Sequence, residues 1–319
     1  MTDFPSDAPL VIGAGPVGRA VTAHLVDQGE EVIVATRSGS GPEIEGVHLV
    51  AVDAGDPEVL RATVGGARVI YCAAHASKYS AAAWRRELPG LERAVMDVAH
   101  GWGAPVVFPE SLYSMGSPDG VMRESSPREA TRGKSGVRAE LLRRRAAHPA
   151  RTISIAASDF FGPFATDSHV GSLVIPKVLS GSTVWVLGAT DQKHSFTAVR
   201  TLAAAMVVAA ERAGELAPDG DRFLLAPTPP AVTMTELVAL VAEVADVPVP
   251  TVRAIPGWAV KALAPVVPDV REMADILHQW VRPYVVDSSA SEAVLGLTPM
   301  PLAEELAATV EWARRDVRI

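Results

Sequence analysis

From Leu10 to Ala156, short apolar runs alternate with longer stretches in which apolar positions recur every three to four residues. The runs Leu10–Ile12, Glu31–Ala35, Val47–Val52, Val69–Ala73, Val106–Phe108 and Thr152–Ala156 predict strands. The stretches Val17–Gln28, Pro57–Val64, Leu88–Gly101 and Val137–Ala147 predict helices. Most of the strand runs are continuously apolar, as strands covered on both faces require. Strand–helix alternation of this kind predicts a doubly wound parallel α/β sheet. The pattern changes after Gly162-Pro163. Beyond it, Val184–Leu187 and Phe223–Leu225 predict further strands, and Val199–Arg212 and Met234–Ala245 predict helices. A tail rich in proline from Val247 ends in a predicted helix, Leu302–Arg315.

Composition narrows the function classes. The chain has 319 residues, 48% apolar and 21% charged, which fits a globular protein with a sizeable core. Its formal charge of −8 argues against a nucleic acid or an anionic membrane as partner. The expected partner is a small molecule, and the expected state is a monomer or homodimer. The single cysteine, Cys72, excludes an intrachain disulfide and reads as a buried, inert thiol. Met1 to Pro9 lacks a basic segment followed by an apolar one, so no secretory signal is read there. No apolar stretch reaches the roughly 18 residues of a membrane span. These features predict a cytoplasmic protein. The histidines are scattered and form no metal-ligand spacing, so no metal is expected.

The chemistry begins at Leu10-Val-Ile-Gly-Ala-Gly-Pro-Val-Gly18, where G-x-G-x-x-G joins a strand to a helix. Gly13 permits the tight turn, Gly15 lets a pyrophosphate approach the backbone, and Gly18 allows close helix–strand packing. Pro16 and Val17 then open a helix whose free N–H groups and positive end suit phosphate. This predicts a Rossmann-type dinucleotide-binding domain over residues 1–163. Residues 164–319 form a smaller, mainly substrate-binding part, with about 184–226 returning to the sheet. The second strand ends in Thr36-Arg37-Ser38, where an NAD site usually carries an acid for the ribose hydroxyls. With no acid present, Arg37 pairs with a 2′-phosphate and Ser38 assists, so NADP(H) is expected over NAD(H).

Further residues line up in the same order. Val52-Asp53-Ala54 ends the third strand, Val69-Ile-Tyr-Cys-Ala73-Ala74 forms the fourth, and Val106-Val-Phe leads to Ser111, Tyr113 and Gly116. Ser158-Asp-Phe160-Phe-Gly-Pro163 follows the sixth. Together these resemble the extended short-chain dehydrogenase/reductases, the NAD(P)-dependent epimerase/dehydratase family, most strongly over residues 10–163. The resemblance implies that Asp53 contacts adenine, that Ala73 and Ala74 pass beneath the cofactor, and that the substrate region lies mainly in the C-terminal half. The family usually carries Ser/Thr with Tyr-x-x-x-Lys, the tyrosine exchanging the proton and the lysine lowering its pKa and holding the ribose. Ser111 matches the serine. The tyrosine position falls on Arg132 and the lysine position on Gly136, so the motif is missing. The glycine turn departs as well, because the family more often shows G-x-x-G-x-x-G.

The catalytic candidates are therefore Ser111, with Tyr113 for a phenol and Lys134 for a ribose contact. His75 and Tyr79, after the fourth strand, are candidates to line the substrate site, along with Phe160, Trp280, Arg282 and Tyr284. Gly133-Lys134-Ser135 imitates the end of a P-loop, but Arg128 occupies the required first glycine. The arginines within Leu141–Arg145 read as a solvated helix end. The leading functional expectation is an atypical NADP(H)-dependent oxidoreductase acting on a small carbonyl or alcohol. A sugar-type epimerase or dehydratase and a non-catalytic NADP(H)-binding sensor stand as alternatives.

Overall fold

A computed structural model describes residues 4 and 7–316, with backbone only at 268 and 269. The chain runs through β1 (Leu10–Ile12), α1 (Pro16–Asp27), β2 (Val32–Thr36), β3 (Val47–Ala51), α2 (Pro57–Val64), β4 (Ile70–Cys72), α3 (Ala81–Trp102), β5 (Val106–Ser111), α4 (Gly133–Ala146) and β6 (Thr152–Ala157). It continues through β7 (Asp159–Phe161), a π-helical turn Val170–Val174, α5 (Ile175–Leu179), β8 (Val184–Leu187) and β9 (Phe196–Ala198). Next come α6 (Val199–Glu211), α7 (Ala213–Leu216), β10 (Asp221–Leu225), α8 (Met234–Val244) and β11 (Val252–Ile255). The last helices are α9 (Gly257–Leu263), α10 (Pro268–Asp275), α11 (His278–Val281), α12 (Ser289–Leu295) and α13 (Leu302–Asp316).

Two compact units emerge. The first holds residues up to Ser114, Glu129–Ala156 and Arg200–Ala226. It carries a seven-stranded sheet in the order β10-β6-β5-β4-β1-β2-β3. The fold is the Rossmann-like α/β architecture expected. β1 pairs parallel with β2 on one side (Leu10↔Ile33) and with β4 on the other (Leu10↔Ile70). Leu10, Ile12, Ile33, Ile70, Cys72, Val106 and Phe108 share one core with Leu60 of α2 and Val95, Val98 and Ala99 of α3. Their neighbours Val11, Val34, Tyr71 and Val107 are buried as well, so both faces are covered. Burial on both faces is why the strands read as unbroken apolar runs. Strand order reverses between β1 and β4, the point at which open sheets of this kind take ligands beyond the carboxyl ends of their strands.

The second unit holds Met115–Arg128, Ala157–Val199 and the described residues from Pro227. Its sheets are two parallel pairs, β8 with β11 and β7 with β9. Val170, Val174, Val184, Val186, Phe196, Leu237, Val241, Leu306 and Val310 build its core. A capping box starts α8: the Thr233 hydroxyl accepts from Glu236 N, and Glu236 accepts from Thr233 N. Two expectations change here. The return to the main sheet is residues 200–226, through β10; the segment at 184–187 pairs with β11 instead. The first unit also gives up residues 115–128, so the division is not a single cut at 163.

Candidate active site

The glycine turn sits at the reversal in strand order. Gly13 has φ +99°, and a Cβ on it would lie 2.8 Å from Ala74 N. A Cβ on Gly18 would lie 1.9 Å from Gly13 O. Both glycines are therefore held by packing, one against the loop after β4 and the other against the turn itself. Gly15 differs, since a Cβ there meets nothing within 4 Å. The space over Gly15, where a pyrophosphate would lie, is open. Gly15 caps α1, Pro16 follows at the first helical position, and no side chain caps the first turn. Its N–H groups lack intrahelical partners. Gly13 N donates to Ala35 O and Ala73 N to Ile12 O, so Ala73 and Ala74 border the turn. These residues fit a dinucleotide.

Across the sheet, Arg37 and Ser38 are exposed in the turn after β2. The Ser38 hydroxyl is bonded to the Ser40 hydroxyl at 2.7 Å, and Thr36 Oγ1 donates to Ser40 O. Asp53 is exposed and accepts from Gly55 N at 2.9 Å, while Ala54 is buried beside it. Cys72 ends β4 in the core, where burial pushes its thiol up to about 12, as an inert thiol requires.

Beyond β4 and β5 the first unit gathers aromatic rings and cations. Ser111 closes β5 and Tyr113 follows on one 3-10 turn, Leu112–Met115. The Tyr79 and Tyr113 hydroxyls are 2.5 Å apart. Both rings pack on Trp84 of α3: Tyr113 stacks on it and Tyr79 meets it edge-on. Lys134, in the first turn of α4, is fully buried, with Nζ 4.6 Å from the Tyr79 ring centroid. Gly136 stands where the resemblance would put the family lysine. A Cβ there would lie 2.5 Å from the Thr131 carbonyl carbon, so the backbone itself closes the place. Arg132, at the tyrosine position, is exposed.

His75 leaves β4 with its ring edge against Trp84, and its Nε2 accepts from Arg138 Nη2 at 2.8 Å. Desolvation and the Arg138 charge push the imidazole down to about 4, so it is neutral near pH 7. Its Nε2 lone pair is committed, which suits a wall residue rather than a base.

A buried ion network supports this edge from below. Arg145 is fully buried and grips Glu92 through two bonds, 2.8 Å and 2.6 Å. It also donates to Glu110 Oε2 at 2.8 Å and to Ser154 Oγ at 3.0 Å, over the Phe108 ring. Burial opposes its charge, and Glu92 and Glu110 more than offset that opposition, so its pKa rises. Glu110 Oε1 accepts the Ser111 N–H at 2.7 Å and the Ser111 hydroxyl at 3.3 Å, and pairs with Arg138 at 3.5 Å. The reading of Arg143–Arg145 as a solvated helix end holds for Arg143 and Arg144 and fails for Arg145. At this helix end, Arg145 turns to the sheet, where two glutamates from other elements meet it. Neither glutamate is near in sequence, so periodicity carries no sign of them.

The remaining candidates lie in the second unit. Phe160 on β7 is exposed, as is Arg282. Trp280 and Tyr284 are buried. Trp280 stacks on His194 (4.3 Å) and on His169 (4.0 Å), and His194 bonds Asp159 at 3.0 Å. Trp280 and Tyr284 are thus core packing around His194. Among the described residues no His, Cys, Asp and Glu cluster has metal-binding geometry, and no helix is long and apolar enough to cross a membrane.

No curated protein sequence matched the chain. Among solved structures, one of gox2253 is 20% identical, with TM-score 0.76, covering 98% of this chain and 99% of that one. One of MoeE5 in complex with UDP-glucose and NAD is 22% identical, with TM-score 0.72, covering 97% and 99%. One of a DesIV double mutant, a dTDP-glucose 4,6-dehydratase from Streptomyces venezuelae with NAD and DAU bound, is 19% identical, with TM-score 0.74, covering 97% of each chain. These likenesses establish the fold. The model of the NAD dependent epimerase/dehydratase family matches residues 10–223, more than half of the 319, and the chain belongs to that enzyme family.

Proposed function

We propose that the protein is an NADP(H)-dependent oxidoreductase of atypical extended short-chain type, acting on a small carbonyl or alcohol in the cytoplasm. The observation that carries this reading is one juxtaposition within the first unit. An open glycine cradle lies at the strand-order reversal, Ser111 closes β5, and Tyr113 and Lys134 follow that strand in the same unit. Gly13, Gly15 and Gly18, with Pro16 and Val17, would seat the pyrophosphate. Arg37, helped by Ser38, would take the 2′-phosphate, Asp53 and Ala54 the adenine, and Ala73 and Ala74 the underside of the cofactor. Bound there, the dinucleotide supplies or accepts a hydride.

The chain's own residues do the rest. The Ser111 hydroxyl would turn from Glu110 to donate to the reacting oxygen. Glu110 keeps the Ser111 backbone fixed through the 2.7 Å bond meanwhile. Tyr113 would give or take the proton. Lys134 supplies positive charge beside the phenols, in place of the lysine that Gly136 cannot accommodate. His75 and Tyr79 would shape the substrate side within the first unit, while Phe160 and Arg282 are exposed in the second, where Trp280 and Tyr284 are buried.

A second reading, a sugar-type epimerase or dehydratase, draws on the family and on the solved structures of MoeE5 in complex with UDP-glucose or UDP-glucuronic acid and NAD. One experiment separates them. The protein is mixed with NADPH and a carbonyl panel, with NADP+ and an alcohol panel, and with NAD+ and UDP-sugars. Nicotinamide absorbance and products are then followed. Stoichiometric loss or gain of NADPH absorbance supports the oxidoreductase. A converted sugar with no net absorbance change supports the epimerase or dehydratase instead.

A further inference from the structure

We propose that Tyr79 and Tyr113 form a two-phenol acid, in which Tyr79 positions Tyr113 and refills it with a proton. The inference rests on the reading of Tyr113 as the proton donor. Their oxygens are 2.5 Å apart, so one hydroxyl donates to the other. They come from separate loops, 34 residues apart in sequence, and both pack on Trp84. Tyr79 is 50% exposed and touches solvent, whereas Tyr113 is half-buried. The pair thus spans from water to the edge of β5.

Charge around the pair favours the ionised form. Lys134 of α4 sets its ammonium over the Tyr79 ring, and a phenolate forming on that ring gains from the cation. Other charged or titratable residues on the segments that carry the pair or pack against it are Lys78 beside Tyr79, His75 after β4, Arg85, Arg86 and Glu87 of α3, Glu110 of β5 and Arg138 of α4. Glu87 accepts from Ser77 and Arg86, and Glu110 is held by Arg145, Arg138 and Ser111. Both carboxylates thus have their own partners, and Lys134 lies over the Tyr79 ring.

In the reducing direction the steps balance. The carbonyl carbon receives a hydride from the reduced nicotinamide dinucleotide. Its π pair moves to oxygen, and that oxygen takes the Tyr113 proton. The Tyr113 oxygen then takes the Tyr79 proton, and Tyr79 takes one from water. In the oxidising direction the same proton path runs outward.

The test begins with cofactor-free protein. The chain has only four tyrosines. Tyr71 is buried, which pushes its phenol up out of the range read, and Tyr284 is buried too. A near-ultraviolet titration of tyrosinate should show one early ionisation, about one pH unit or more below the ordinary phenol value of about 10. Tyr79→Phe and Tyr113→Phe should each abolish that early step, and Lys134→Met should raise it. Two independent ionisations, with Tyr113 unmoved by Tyr79→Phe, would overturn the proposal.

Single-turnover hydride transfer follows with whichever carbonyl consumes NADPH. Tyr79→Phe should slow it at least tenfold and displace its pH profile, with little change in substrate affinity. An unchanged rate and profile would overturn the relay, even if the titrations were coupled. If no carbonyl or alcohol is ever turned over while the titrations stay coupled, the functional reading fails, and the relay falls with it. The shared proton would then stand alone.

Discussion

Replacing Gly15 with alanine separates a glycine kept for a ligand from one kept for the fold. Gly15 has φ −73° and ψ −173°, an extended conformation open to any residue, and an added Cβ meets no atom within 4 Å. Loss of unfolded-chain entropy stabilises the folded variant by about 0.4–1 kcal/mol. Alanine is a poorer helix cap than glycine, by a comparable amount. The two effects offset, so Gly15→Ala should stay within about 1 kcal/mol of the parent. A dinucleotide would meet the new methyl where its pyrophosphate approaches. Losing one or two charge-assisted hydrogen bonds at about 1.5–3 kcal/mol each weakens binding on the order of a hundredfold or more. Gly18→Ala is the contrasting control. Its Cβ would lie 1.9 Å from Gly13 O, so the turn must move, at a cost of about 1–3 kcal/mol or more. Urea denaturation gives the stabilities, and calorimetric titration with NADPH gives the affinities. A folded Gly15→Ala protein that binds NADPH as tightly as the parent would refute the reasoning.

Three further outcomes are expected. Arg145→Met leaves Glu92 and Glu110 buried without their cation and should lower stability by about 3–5 kcal/mol in urea denaturation, while Arg144→Met, on the exposed side, changes it little. Burial holds the His169 imidazole down to about 4, below its unfolded value of about 6.5, so the folded state binds that proton less readily. Its contribution is complete above about pH 6.5 and is lost as pH falls toward 4, on the order of 3 kcal/mol; His169→Phe, which keeps a ring against Trp280, should flatten this acid dependence in thermal melts. Ser111→Ala should slow single-turnover hydride transfer by about 10²–10³, and an unaffected rate would mean that the reacting oxygen lies elsewhere.

Most of the sheet was legible because its strands are short apolar runs bounded by turn residues, and the glycine turn announced its own place at the end of β1. The helix ends were less legible. α3 begins at Ala81, capped by Ser80, but Pro89 interrupts the periodicity and leaves only the portion from Leu88 readable. α4 begins at Gly133, ahead of the portion readable from Val137, because Gly133 and Gly136 are poor helix formers that hide its first turn from the sequence pattern. β5 runs past Phe108 through Pro109 to Ser111, beyond the point where its apolar run stops. The site's fixed parts, Gly13, Gly15, Gly18 and Ser111, follow from local spacing. The Tyr79–Tyr113 pair and the Glu92–Arg145–Glu110–Arg138 network join elements far apart in sequence. Their partners are chosen by the sheet order, which no local pattern records. Gly136 is the instructive case: the missing lysine looked like a loss, and the Thr131 backbone shows why no side chain fits there.

The most direct measurement is calorimetric titration of the protein with NADPH and with NADH, repeated on Arg37→Ala. Binding of NADPH tighter than NADH, with the preference lost through a fall in NADPH affinity of about 1–3 kcal/mol in Arg37→Ala, is the result this account predicts. Equal affinities, tighter NADH, or no binding of either would contradict it.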